Sequence, residues 1–183
     1  MKFKNKKNEQ FELKDGGKIW KNRSIAVVGH VFCKVPNEEL SILMVKRGSG
    51  SADNIGKWCL PCGYLDWNET GHDGITREIW EETGVDVIKA ASDAVKVNYN
   101  GLKEGTPWKV NTDPDDDTLQ NVSLHYGITL KSMKYPEFES KSGGEDEEVQ
   151  EVRWVPIEEV KDLEIAFNHG HRIFQFIDFL MNG

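Results

Sequence analysis

The chain contains no run of about 18 consecutive apolar residues, so no membrane span is expected. Its first residues, MKFKNKKNEQ, are charged and lack the apolar stretch of a secretory signal, which makes the cytoplasm the expected location. Cysteine is scarce. Cys33, Cys59 and Cys62 are an odd number and no disulfide framework, which fits a reducing compartment. Positive charge is in deficit: 23 Lys and Arg stand against 31 Asp and Glu, for a formal net charge of −8. A non-specific binder of duplex nucleic acid needs a basic face, and this balance argues against one. Internal repeats and an interdomain linker are also lacking. A chain of 183 residues is then expected to form a single domain, 1–183, with residues 1–22 as a polar, lysine-rich arm.

What is present suits a globular fold, with 38% hydrophobic and 30% charged residues. Ser24 to Cys33 and Leu40 to Arg47 are rich in β-branched and apolar residues and read as paired strands around a turn. Gly48 to Gly56 reads as a flexible loop. Thr70 to Gly84 reads as a helix, with Thr70 as N-cap, Asp73 in the capping-box position and Gly84 just past the end. Val85 to Tyr99 reads as further strand. Asn100 to Gln120 reads as a long loop or insertion, Asn121 to Leu130 as a strand, and Glu137 to Gln150 as an acidic loop. A strand ending at Pro156 and a short helix follow. The last helix is amphipathic, with Ile173, Phe174, Ile177, Leu180 and Met181 as its apolar stripe.

Within the Thr70–Gly84 helix, Glu78, Glu81 and Glu82 stand at i, i+3 and i+4, so their carboxylates project from one side. Like charges so spaced cost a few tenths of a kcal/mol per pair. A divalent cation turns that repulsion into attraction, and carboxylate oxygens suit hard ions such as Mg²⁺. A solvated acidic face is the plainer alternative on the helix alone.

The stretch GYLDWNETGHDGITREIWEETGV, Gly63 to Val85, resembles the signature of the Nudix, or MutT-like, hydrolases: Gly, five residues, Glu, seven residues, Arg-Glu, an aliphatic, any residue, Glu-Glu, any residue, Gly, an aliphatic. Gly63, Glu69, Arg77, Glu78, Ile79, Glu81, Glu82, Gly84 and Val85 meet every fixed position. The resemblance implies an α/β fold, an α/β/α sandwich around a central mixed sheet. It implies hydrolysis of the pyrophosphate of a nucleoside diphosphate derivative with Mg²⁺ (or Mn²⁺). It makes Glu78 and Glu82 metal ligands and catalytic residues, with Glu81 and the carbonyl at Gly63 as further ligands. Glu69 and Arg77 would pair and hold the loop to the helix. A later glutamate often serves as ligand or base; Glu148 fits best, with Glu145 and Glu147 as rivals and Glu78 as the other candidate base. Arg47 is a candidate substrate contact, with a surface arginine an equal alternative; Tyr126, like Tyr99 and Trp108, is a candidate to stack on a base, with core packing the plainer reading. Asp113 to Asp117 reads as a solvated turn more readily than as a second cation site. The expected partner is a small nucleotide. A homodimer is compatible with the chain but not derivable from it.

Two departures stand out. The family usually has Pro-Gly-Gly before the motif; here Pro61-Cys62-Gly63 places a cysteine at the middle position. The markers for ADP-ribose or dinucleoside polyphosphate hydrolases, a proline or tyrosine after the motif, are not cleanly met by Tyr99 and Pro107. ADP-ribose or another ADP-sugar is preferred, with an 8-oxo-type nucleoside triphosphate next. Two other readings are open: an inactive nucleotide-sensing module, which would usually have lost a helix glutamate, and a thiol oxidoreductase using Cys59-x-x-Cys62. The latter needs its first cysteine at a helix N-terminus, whereas the first helix signal comes at Thr70.

Overall fold

In the computed structural model, residues 9–21, 24–103, 105–113, 121–139 and 147–182 are described. The chain runs β1 (Glu9–Glu12), β2 (Lys18–Lys21), β3 (Ile25–Lys34), β4 (Leu40–Arg47), β5 (Trp58–Cys59), β6 (Cys62–Tyr64), α1 (Gly71–Thr83), α2 (Val87–Asp93), β7 (Lys96–Asn100), β8 (Lys109–Asn111), β9 (Val122–Lys131) and β10 (Val149–Pro156). A 3₁₀ turn at Val160–Asp162 precedes α3 (His169–Asn182). β1 and β2 pair as a separate hairpin within the expected arm.

β3 is apolar at nearly every position because both of its faces are covered. Val27 and Val31 join Ile75 and Ile79 of α1 in one core cluster. Val28 and Phe32 join Ile173 and Phe176 of α3 in another, on the opposite side. Between the helices the sheet runs β10-β4-β3-β9-β7, with β5 on β4, β6 on β3 and β8 on β9. The β3–β9 pairing is parallel, with Val27 opposite Leu124, and the other pairings are antiparallel. The expected α/β/α sandwich with a mixed sheet is therefore what the residues build.

The rotation of α1 is set by Ile75 and Ile79, both fully buried. Ile79→Ala should destabilise the fold by about 2–5 kcal/mol, through lost transfer energy plus the cavity left behind. Chemical denaturation at fixed pH checks this.

Three local readings need correction. Val87–Asp93 is a helix, not strand: the Asp86 carboxylate accepts the Lys89 N–H (2.9 Å), and Val87 and Ala91, four apart, are its buried residues. The 100–120 insertion contains strand β8, because Trp108 before it packs edge-on to His30 and Phe176 under the sheet. On α3 the buried face is Ile173 and Phe176 with Ile177 and Leu180 beside them, whereas Phe174 and Met181 are exposed. At 100° per residue the latter two fall to one side of that face. Glu145 and Asp115 to Asp117 lie outside the described residues.

Candidate active site

α1 begins where Thr70 and Asp73 cap each other. The Thr70 hydroxyl accepts the Asp73 N–H (3.2 Å) and the Asp73 carboxylate accepts the Thr70 N–H (3.1 Å). The helix ends at Gly84, whose φ of 70° is left-handed and suits a residue without a Cβ. These two fixed ends set Glu69 just ahead of the first turn and Arg77 facing it.

Arg77 is the hub. Its Nε and Nη2 donate to the two oxygens of Glu69 (3.1 and 2.8 Å), and Nη2 also donates to the Tyr64 carbonyl (3.1 Å). A bidentate guanidinium–carboxylate pair is directional as well as strong. It ties the loop to the helix, the duty the sequence pattern assigns to this pair. Arg77 Nη1 does more: it donates to Glu78 Oε1 and to Glu81 Oε2, each at 2.8 Å. The hydrogen bonds to Arg77 hold the Glu69 carboxyl below the usual range, and the same carboxylates push the Arg77 guanidinium up.

Glu78 and Glu82 turn inward. The Glu78 side chain is only 12% exposed, against 54% for Glu81. Glu82 accepts the amide N–H of Cys62 (2.9 Å). Gly63 packs so tightly on Glu78 that a Cβ there would collide with the carboxylate. Burial pushes both carboxyls up; the Arg77 hydrogen bond opposes the shift in Glu78, while nearby Cys59 adds to it in Glu82. Two buried, mutually repelling carboxylates with few donors are a set of hard oxygens that fits a divalent cation. Glu78 and Glu82 are the residues that would hold it.

Among the described residues, no group of three His, Cys, Asp or Glu is arranged to hold a metal ion. Glu81 is more exposed than the other two glutamates and shares Arg77 Nη1 with Glu78, each at 2.8 Å. Sequence spacing puts all three on one side of the helix; it does not reveal that Arg77 occupies the space between Glu78 and Glu81.

The remaining candidates separate. The Glu148 carbonyl accepts the Gly48 N–H (2.7 Å) and the Ser51 hydroxyl (3.0 Å), while Glu147 accepts the Gly50 N–H (2.7 Å). The acidic segment thus docks on the glycine-rich loop, and the Glu147 and Glu148 side chains are left exposed. Arg47 bonds Asp53 (3.1 Å) and lies over the Phe167 ring, yet it is near enough to Glu82 to oppose its upward shift. Tyr126 is a correction. It is 2% exposed and belongs to the core cluster under α1, so its ring has no open face on which a base could stack.

A buried group the sequence reading missed is His30. Its Nε2 hydrogen-bonds His125 Nδ1 (3.0 Å), and His169 Nδ1 accepts the Leu60 N–H (3.1 Å). The only sequence signal was a polar residue inside an otherwise apolar strand.

A NUDIX domain pattern matches residues 25–176, most of the chain. The chain belongs to the NUDIX domain family. It is 26% identical over 151 residues to Nudix hydrolase 7 of Arabidopsis thaliana, covering 82% of this chain and 46% of that protein. It is 42% identical over 64 residues to a MutT-like protein of Streptomyces ambofaciens, covering 35% of this chain and 36% of that one. These matches span less than half the length of either relative. Among solved structures, the NUDIX domain of Shewanella oneidensis NrtR complexed with ADP ribose superposes with a TM-score of 0.64 at 20% identity, over 87% of this chain and 90% of that one. No helix among the described residues is long and apolar enough to cross a membrane.

Arg77→Ala should destabilise the NUDIX domain by about 2–3 kcal/mol, below the full cost of breaking a buried pair because the side chain is partly exposed. Arg77→Lys should recover little of this, since an ammonium cannot span Glu69 bidentately. Urea unfolding of the three proteins tests both statements.

Proposed function

We propose that the protein hydrolyses the pyrophosphate linkage of a nucleoside diphosphate derivative, using a divalent cation held by Glu78 and Glu82. The observation that carries this is the burial of both carboxylates against Cys62 and Gly63, where a cation would join the Arg77 and Cys62 donors in offsetting their repulsion. A bound Mg²⁺ or Mn²⁺ supplies charge neutralisation at the phosphates and a lowered pKa for the attacking water.

The chain supplies the rest. Glu69 and Arg77 keep the loop registered on α1, where Gly63 packs on Glu78 and the Cys62 amide holds Glu82. Arg77 releases Glu78 to the cation and retains Glu69 and the Tyr64 carbonyl, which keeps the helix in place. Arg47 adds positive charge beside Glu82 for the substrate's phosphates. We assign proton acceptance to Glu148: its main chain is anchored by Gly48 and Ser51 while its side chain is exposed. Glu148→Gln should lower turnover and leave Mn²⁺ affinity unchanged. A fall in Mn²⁺ affinity would make it a ligand instead.

ADP-ribose is the first substrate to test. The ADP ribose complex of the NrtR domain supports that choice, and the net charge of −8 supports a small nucleotide over duplex nucleic acid. The test is a panel of ADP-ribose, other ADP-sugars, dinucleoside polyphosphates and 8-oxo nucleoside triphosphates with Mg²⁺ or Mn²⁺. Phosphate released after phosphatase treatment reports cleavage. Ligand binding without phosphate release would point to the sensing module instead.

A further inference from the structure

Tyr126 is buried, yet another aromatic ring stands exposed beside the candidate site. Phe167 is 42% exposed, and the Arg47 guanidinium lies over its ring, 4.8 Å from the centroid. The chain before Phe167 fixes its place. Glu164 to Ala166 run along β5: the Trp58 N–H donates to the Glu164 carbonyl (2.8 Å), the Ala166 N–H donates to the Trp58 carbonyl (2.9 Å), and Ile165 bridges to Trp58. Ala166 is buried with Val45 and Cys59. From Cys59 the chain passes through Leu60 and Pro61 to Cys62, whose amide holds Glu82. Arg47 ends β4, and the next residue, Gly48, donates its N–H to the Glu148 carbonyl (2.7 Å). The Arg47–Phe167 pair is thus tied both to the turn that holds Glu82 and to the segment that carries Glu148.

The backbone that carries this ring is strained. Phe167 has a φ of 56° and Asn168 a φ of 58°, both left-handed. Asparagine tolerates that region, whereas a bulky aromatic there is an outlier. The turn is closed around the two residues by the His169 N–H, which donates to the Ala166 carbonyl (3.0 Å). The His169 ring is itself held, since its Nδ1 accepts the Leu60 N–H (3.1 Å). Strain of this kind persists only where the surroundings over-determine it, and it collects at ligand-binding sites. Core packing does not explain the ring, because Phe167 belongs to none of the three apolar clusters of the described residues. Glycine or asparagine would suit the turn better.

We propose that the Phe167 ring is the surface on which the nucleobase of the substrate stacks, with Arg47 holding the ring in place. The inference rests on the reading of the substrate as a nucleoside diphosphate derivative, and it names the residue that recognises the nucleoside half.

The parts suit that task. A guanidinium over an aromatic face is attracted to it and limits the movement of the ring. Asp53 fixes the guanidinium in turn: its carbonyl accepts Arg47 Nε (2.9 Å) and its carboxylate accepts Nη2 (3.1 Å). The His169 ring meets Phe167 at 59° with centroids 5.5 Å apart, so it does not stack on it. A ring held in this way loses little freedom when a base arrives, which favours binding. Every base has a π face, so stacking recognises a nucleoside without choosing among bases.

The test is titration calorimetry on the full chain in Mg²⁺ with two probes, ADP and inorganic pyrophosphate. Both carry a diphosphate, and ADP alone carries a nucleoside. Phe167→Leu keeps an apolar side chain and removes the π face. It should bind ADP about 5–150-fold more weakly than the wild type and pyrophosphate equally well. Phe167→Trp should keep the wild-type affinity for ADP. Phe167→Gly suits the left-handed backbone, so it should fold even if Phe167→Leu does not, and it should show the same selective loss. Thermal melts verify the fold of each variant. Unchanged ADP affinity in Phe167→Leu and Phe167→Gly overturns the proposal. So does an equal loss for ADP and pyrophosphate, which would mean that the ring acts on the phosphates through Arg47. A wild type that binds ADP no better than pyrophosphate overturns it as well. Hydrolysis of ADP-ribose is measured alongside. Cleavage without any dependence of ADP binding on Phe167 removes the stacking role and keeps the hydrolase reading. Phe167-dependent ADP binding without cleavage of any substrate in the panel does the reverse.

Discussion

Glu82→Gln is expected to lower kcat about a thousandfold in saturating Mg²⁺. Charge stabilisation by a bound cation is worth several kcal/mol in the transition state, and about 4 kcal/mol corresponds to three decades in rate. The substitution keeps the shape of the side chain, and the amide oxygen can still accept the Cys62 N–H that Glu82 accepts at 2.9 Å. The loss should therefore be catalytic and not structural. Stability should move the other way. Burial raises the folded-state pKa of Glu82 above its unfolded value, so at neutral pH its ionised form works against folding. Removing that charge should leave the metal-free variant at least as stable as the wild type. Steady-state kinetics and a thermal melt in chelator check the two halves. Wild-type turnover in Glu82→Gln would remove the residue from the site.

Acid should unfold the protein well before its carboxylates are exhausted, because three histidines are buried without charge. Burial pushes His125 down to about 4 and His169 down to about 3, and lowers His30 well below its ordinary value. A His with a depressed folded pKa contributes no penalty above the unfolded value of about 6.5. Stability is lost as pH falls below 6.5, since the unfolded chain binds the proton first. At pH 5 the difference is about 1.5 units, or about 2 kcal/mol for each of His125 and His169 and about 4 kcal/mol for the two, and His30 acts in the same direction. That is a large part of the whole stability of many domains. The raised carboxyls of Glu78 and Glu82 act in the opposite sense and take back part of the loss. Urea unfolding from pH 7 to pH 5 should show a steep fall, with an uptake on unfolding of about two protons from His125 and His169, and more from His30, before the carboxyl contribution. His125→Gln should reduce that uptake by about one. A flat stability profile over this range would mean that these histidines are charged or hydrated in the folded protein.

Most of the fold and the Glu69–Arg77 pairing could be read in the residues because those features are local. Thr70, Asp73 and Gly84 mark both ends of α1, and the glutamate spacing puts Glu78, Glu81 and Glu82 on one side of it. The pairing of Glu69 with Arg77 followed from the motif and is present at hydrogen-bonding distance. What could not be read depends on tertiary packing. Val85, Val87 and Ile88 have strand-like side chains, but the Asp86 cap and Ala90–Ala91 make a helix there. Tyr126 stands on a strand with the alternation of a half-exposed face, and only the placement of α1 over it shows that it is buried. The second grip of Arg77, on Glu78 and Glu81, depends on side-chain reach rather than spacing. Cys59 and Cys62 were visible as a spacing, but the hold of the Cys62 amide on Glu82 needed β6 and α1 together.

The central claim is that Glu78 and Glu82 hold the catalytic cation. Mn²⁺ titration calorimetry on wild type, Glu78→Gln, Glu82→Gln and Glu81→Gln, all in the reduced state and without substrate, tests it most directly. Binding should be lost or weakened at least about 10–100-fold in the first two variants. The solvent-facing Glu81→Gln should change affinity least. Equal Mn²⁺ affinity in wild type, Glu78→Gln and Glu82→Gln would contradict the account.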